Sequence, residues 1–141
     1  MADSTPAKFQ KEISIRFREA DPAGILFFGH VFSLAHDCFE DFIQAAGFAW
    51  KDWFHIKDHL IPIRHTECNY HKPFIPGEKY SVTATVARLG NSSFQMRYVF
   101  AKGEARHAEV LMTHTFLSLQ TKEKISVPDK VRDRLKPFVE A

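Results

Sequence analysis

The stretch VFSLAHDCFEDFIQAA, residues 31–46, decides the fold. Val31, Leu34, Ala35, Cys38, Phe42 and Ala45 recur at helical spacing, and Phe32, Phe39, Ile43 and Ala46 widen the same apolar face. Ser33, His36, Asp37, Glu40, Asp41 and Gln44 collect on one polar stripe. A helix this apolar has to be covered over most of its circumference. Gly47 suits its C-terminal cap.

Outward from this helix the period changes to two. Upstream, residues 9–17 alternate, with Ile13, Ile15 and Phe17 on one face and Ser14 and Arg16 on the other, which predicts a strand behind a frayed terminus at 1–8. Residues 18–30 read as a loop. A shorter helical piece is expected over 49–57, with Trp50, Trp53 and Phe54. Strands follow at 61–71, 79–89, 93–101 and 106–120, separated by turn residues at Pro73, Pro76-Gly77, Gly90-Asn91 and Lys102-Gly103-Glu104. Residues 126–138 predict a terminal helix, opened by Pro128. The short spacings mean hairpins. The expected class is therefore α+β, a single domain over 1–141 with a five-stranded antiparallel sheet wrapped around one long central helix. Such a sheet keeps an edge and an outer face unsatisfied, and pairing with a second copy, as a dimer or tetramer, is the expected remedy.

The net charge of +2 is too small to argue for a nucleic-acid partner and is compatible with an anionic small molecule. Fourteen phenylalanines imply an aromatic-rich core or an apolar pocket. No apolar run is long enough for a membrane span, and Met1 to Gln10 holds no apolar signal core, so a cytoplasmic location is expected. Cys38 and Cys68 read as two reduced thiols.

Asp21 heads the candidates for chemistry. Asp21-Pro22-Ala23-Gly24 is good turn chemistry, which is reason enough for an aspartate there. The same carboxylate also stands just ahead of a long helix, amid Ile25, Leu26, Phe27 and Phe28. Apolar surroundings raise a carboxylate's basicity, and helix N–H groups can hold an oxyanion. The stripe of His36, Asp37, Glu40 and Asp41 could hold a metal, but a solvated or subunit-facing stripe is the simpler reading, and no metal is expected. His65, Glu67, Asn69 and His71 give the 61–71 strand an unusually polar face, suited to a subunit interface or a substrate cleft. His107 and His114 read as structural.

The segment from Phe17 to Phe28, followed at once by a helix, resembles the signature of the 4-hydroxybenzoyl-CoA thioesterase-like family of hotdog enzymes. Ser33 to Glu40 also resembles the matching helix of 1,4-dihydroxy-2-naphthoyl-CoA thioesterases, and the likeness extends from about Ile13 to Leu119. The resemblance implies a hotdog fold and hydrolysis of an acyl-CoA thioester without a cofactor, in a site between two subunits. It implies Asp21 as nucleophile or as general base. Backbone N–H groups near Phe28 and Gly29 would polarise the thioester carbonyl. One branch of the family carries a histidine where this chain has Phe28; here His30 lies nine residues after Asp21. Relatives place a basic cluster where this chain reads Gly90-Asn91-Ser92, ahead of Ser93-Phe94, which leaves Arg88 to meet the coenzyme A phosphates. Phe28, Gly29, His30, Arg88 and Ser93 are thus the expected substrate-binding residues. A non-catalytic hotdog module binding acyl-CoA or a protein partner is the alternative, and the need for Asp21 separates the two.

Overall fold

A computed structural model of the chain describes residues 5–54 and 57–141. Its main sheet is built from β1 (Phe9–Ser14), β3 (Ile63–Tyr70), β4 (Lys79–Leu89), β5 (Ser93–Lys102) and β6 (Ala105–Thr115). The strands are antiparallel in the order β1-β4-β5-β6-β3. A two-residue ribbon pairs β2 (His59–Leu60) with β7 (Leu117–Ser118).

The alternating residues do what their period requires. Tyr80, Val82, Ala84 and Val86 of β4, Phe94, Met96, Tyr98 and Phe100 of β5, and Ala108, Val110 and Met112 of β6 are all buried. They close on the apolar face of α1 (His30–Ala45), whose Val31, Leu34, Ala35, Cys38, Phe39, Phe42 and Ile43 belong to the same core. Fully burying each large side chain contributes about 1.5–3 kcal/mol, which is why the sheet curls round the helix. The helix ends as its sequence demands. Gly47 takes φ +96°, and the N–H of Phe48 reaches back to the Ile43 carbonyl at 2.9 Å. The short α2 covers Lys51–Phe54; the helix expected over 49–57 also includes residues 55 and 56, which lie outside the described residues, as do 1–4 of the frayed terminus. At the other end α3 (Asp129–Leu135) buries Val131 and Leu135. Two free thiols are present, Cys38 buried and Cys68 half-buried.

Three expectations need correction. β1 stops at Ser14 and Phe17 does not share the buried face of Ile15: Phe17–Glu19 form a 3₁₀ turn and Phe17 is 93% exposed. The reason is a loss of strand partner, since Gly77 and Glu78 bond Ile15 and β4 begins only at Lys79. The strand expected over 106–120 is broken at Phe116, whose N–H donates to Ser92 outside the ladder. Beyond that point neither neighbour offers further pairs, and the chain crosses to β2. Residues 5–8 are not wholly loose, because the Ala7 N–H donates to the Pro137 carbonyl at 2.9 Å.

Candidate active site

The loop between β1 and α1 is tied into shape by its own backbone. Asp21 begins a tight turn: the Gly24 N–H donates to the Asp21 carbonyl at 2.9 Å, and Gly24 takes φ +80°, a conformation that favours glycine. The Asp21 N–H donates to the Ile25 carbonyl, and Ala20 and Leu26 face each other across a short bridge. Leu26 is anchored to the Phe74 carbonyl at 2.9 Å and Phe27 to the Glu19 carbonyl at 2.8 Å.

Asp21 is half-buried. Its Oδ1 accepts the Ala23 N–H at 2.8 Å, an Asx turn, while Oδ2 has no protein hydrogen-bond partner among the described residues. The turn reading of this aspartate and the chemical one are therefore compatible, each using one oxygen. Glu19, the other nearby carboxylate, is buried and committed: its Oε1 accepts the Arg16 N–H at 2.7 Å and caps the 3₁₀ turn.

The loop leads straight to the positive end of α1. Gly29 is the N-cap residue and His30 the first helical one. The His30 N–H is used, donating to the Phe27 carbonyl at 3.0 Å, and the His30 ring packs edge-on to Phe27. The N–H groups of Phe28 and Gly29 donate no hydrogen bond among the described residues. A Cβ on Gly29 would come within 3.0 Å of the Phe27 ring, so the turn is tight against its own aromatic side chain. Phe28 is 63% exposed. Tyr70, at the end of β3, donates its hydroxyl to the Phe28 carbonyl and pins the turn from the sheet side. Sequence reading missed Tyr70; the only signal was an aromatic residue at a strand end just before the Lys72-Pro73 turn.

Beside this turn opens a cavity of about 350 Å³, with Ile25, Leu26, Phe28, Tyr70, Lys72 and Phe74 among its walls. Asp21 does not line it within one chain. The arrangement can hold an apolar group near two free N–H donors, with a lysine at hand for a negative charge.

Arg88 and Ser93 are not brought to this loop within one chain. Tyr70 pairs with Ala108, which pairs with Phe100, whereas Ser93 lies seven residues away on β5, roughly 23 Å at about 3.3 Å per residue. Arg88 is exposed, opposite Gln95 beyond a bulge in β4, at that same far end. On α1, Asp41 pairs with Lys11 and His36 Nδ1 lies 3.9 Å from Glu40 Oε1; no group of three potential metal ligands is gathered among the described residues. His65, Glu67 and Asn69 are exposed on β3, a sheet edge, and His71 is exposed just past its end. His107 is buried, its Nδ1 2.9 Å from the Pro73 carbonyl, which fits a structural role. Burial pushes the Cys38 thiol up to about 12, which removes it as a nucleophile at neutral pH.

A five-stranded antiparallel sheet closed on one central helix, with the loop of interest at the helix entry, is the hotdog fold. The model of the thioesterase-like superfamily matches residues 15–135, and the chain belongs to that family of thioester hydrolases. It is 28% identical over 130 residues to a 1,4-dihydroxy-2-naphthoyl-CoA hydrolase of Synechococcus elongatus, covering 92% of this chain and 96% of the relative. A hydrolase of the same description from Nostoc punctiforme is 24% identical over 118 residues, 84% of this chain and 80% of that one. Among solved structures, a 1,4-dihydroxy-2-naphthoyl-CoA thioesterase from Synechocystis superposes with a TM-score of 0.84 at 17% identity, over 92% of this chain and 96% of its own. A putative thioesterase from Prochlorococcus marinus gives 0.85 at 23% identity, over 92% and 94%. No helix among the described residues is long and apolar enough to cross a membrane.

Proposed function

We propose that the chain hydrolyses a coenzyme A thioester of an aromatic or medium-length acyl group to the free acid and coenzyme A, with Asp21 as its catalytic carboxylate and without a metal or other cofactor. The observation that carries this reading is the pairing of a half-buried carboxylate, one oxygen unengaged, with two unused N–H groups at the entry of α1. The apolar cavity beside that turn and the aromatic acyl groups named for the relatives favour an aromatic substrate.

In this scheme Phe28 and Gly29 donate their N–H groups to the thioester oxygen as it gains charge. Asp21 either takes a proton from an attacking water or attacks the carbonyl carbon itself, giving an anhydride that water then opens. In both routes the C–S bond breaks and the coenzyme A sulfur leaves as thiolate, to be protonated by solvent. Phe28 and His30 flank the acyl end. The enzyme works in the cytoplasm as a homo-oligomer. The support for self-association is β3: an edge strand exposed along most of its length, with Ile63 and Tyr70 among the exposed large apolar residues. Arg88 and Ser93 reach such a site only from the partner subunit.

The test is thiol release from a panel of acyl-CoA thioesters by the parent and by Asp21→Asn. Asparagine keeps an oxygen for the Ala23 N–H, so the turn survives. The variant should fold with an unchanged thermal midpoint and lose about 10²-fold or more in kcat. Near-full activity in a folded variant would return Asp21 to the role of a turn residue. A single turnover in ¹⁸O-water separates the routes, since only nucleophilic attack leaves label in the Asp21 side chain.

A further inference from the structure

β6 breaks its alternation at one point. His107 and Ala108 are both buried, although successive residues of a strand face opposite sides. The pairing accounts for it: Ala108 stands opposite Phe100 and Arg106 opposite Ala101, so His107 is the extra residue of a β-bulge. A bulge bends its strand and re-aims a side chain, and here the main chain and the ring of His107 both serve one segment. The His107 carbonyl accepts the N–H groups of His71 at 2.8 Å and Lys72 at 3.1 Å. Its Nδ1 lies 2.9 Å from the Pro73 carbonyl. A carbonyl only accepts, so Nδ1 carries the proton and donates.

That segment is a wall of the cavity beside the α1 turn, since the residues from Tyr70 to Phe74 all line it. The Phe74 ring, 2% exposed, meets the imidazole at 5.3 Å and the Tyr80 ring at 4.9 Å. The Phe74 carbonyl accepts the Leu26 N–H at 2.9 Å, and the Ile75 N–H donates to the Tyr80 hydroxyl at 2.8 Å. The bond from His107 therefore lands on the peptide next to the one that anchors the catalytic loop. Ring packing alone would be served by phenylalanine, which has no polar nitrogen to desolvate; an imidazole at a buried bulge is there for its directed hydrogen bond.

We propose that His107 is a positioning residue: its Nδ1–H fixes the Pro73–Phe74 stretch and thereby sets the wall that selects the acyl group. An acyl group large enough to reach the wall feels that bond, and an acetyl group does not. The selection of the acyl group rests on the hydrolase reading above; the holding of the wall does not.

The experiment compares His107→Phe with His107→Asn in the full chain. Phenylalanine keeps the ring contacts with Phe74 and Tyr80 and loses the donor. Asparagine loses the ring but sets an amide N–H as many bonds from the backbone as Nδ1. Amide hydrogen exchange at Leu26 and Ile75, on either side of Phe74, should speed about fivefold in the phenylalanine variant relative to amides of the central strand β5, and return toward the parent with asparagine. In the same variant kcat/KM should fall about fivefold for benzoyl-CoA and little for acetyl-CoA, with asparagine restoring most of the loss. A purely structural role gives the opposite order, because phenylalanine preserves the packing, and equal losses on the two thioesters; either result overturns the proposal. In the parent, ring ¹⁵N spectra should show neutral His107 with its proton on Nδ1, which decides the matter even where a variant does not fold; a proton on Nε2 overturns the proposal, as does exchange at Leu26 and Ile75 that changes no more than in β5. A parent that hydrolyses no thioester sinks the hydrolase reading and leaves the wall to the exchange result, and hydrolysis with unaltered exchange in the phenylalanine variant does the reverse.

Discussion

His114 should make the protein acid-labile, and by an amount that can be worked out. Its side chain is 3% exposed, and burial with repulsion from His36 takes its pKa from 6.5 down to about 3. Between those values the unfolded chain binds a proton that the folded chain refuses. The stability associated with a neutral His114 is thus fully present above about pH 6.5 and drains away as pH falls toward 3. At pH 4.5, two units below the unfolded value, each unit is worth about 1.4 kcal/mol, so the loss is on the order of 2 to 3 kcal/mol. His114→Phe cannot take up the proton and also removes an orphaned buried nitrogen, a defect worth about 1–3 kcal/mol. The variant should match or exceed the parent at pH 7.5, and its advantage should widen by on the order of 2 to 3 kcal/mol at pH 4.5. Urea unfolding of both proteins at the two pH values measures this, at one salt and one protein concentration because self-association adds to apparent stability. Comparing the gap across pH cancels the carboxylates common to both; His36 and Glu40, which line a small pocket together with His114, are the groups that can couple to it. A gap that does not change between pH 7.5 and 4.5 refutes the reasoning.

Tyr70→Phe removes the hydroxyl that holds the Phe28 carbonyl. One neutral hydrogen bond is worth about 1 kcal/mol, so kcat should fall about fivefold with KM nearly unchanged, and an unaltered kcat would show that the turn needs no such support. Arg88→Ala should raise KM for coenzyme A esters while leaving kcat alone, the pattern of lost uniform binding; an equal rise with short thioester analogues that lack the nucleotide would exclude a phosphate contact. Sedimentation at micromolar concentration should show a dimer or larger, and a stable, active monomer would exclude a site shared between subunits.

The helix and the sheet were legible because their period is local. Apolar residues from Val31 to Ile43 repeat every three or four positions, and Phe94, Met96, Tyr98 and Phe100 every two, so each element declares its buried face without reference to any other, although Ala45, at the same spacing in the last turn, is exposed. Asp21 and the turn it opens were legible for a similar reason, since the turn closes within four residues. What escaped depended on partners distant along the chain. Phe17 continues the alternation of Ile13 and Ile15, yet it swings out because β4 no longer pairs there. The strand through Phe116 breaks for want of neighbours, which no local pattern encodes. Tyr70 meets Phe28 across 42 residues of sequence. Arg88 and Ser93 look adjacent to the chemistry by family resemblance, but the register of β5 carries them to the other end of the sheet. His114 is one more inward position of an alternating strand; only the packing of Phe39 from α1 and Phe94 from β5 around its ring leaves its nitrogen buried without a partner among the described residues, because desolvation is a property of the assembled core and not of the residue.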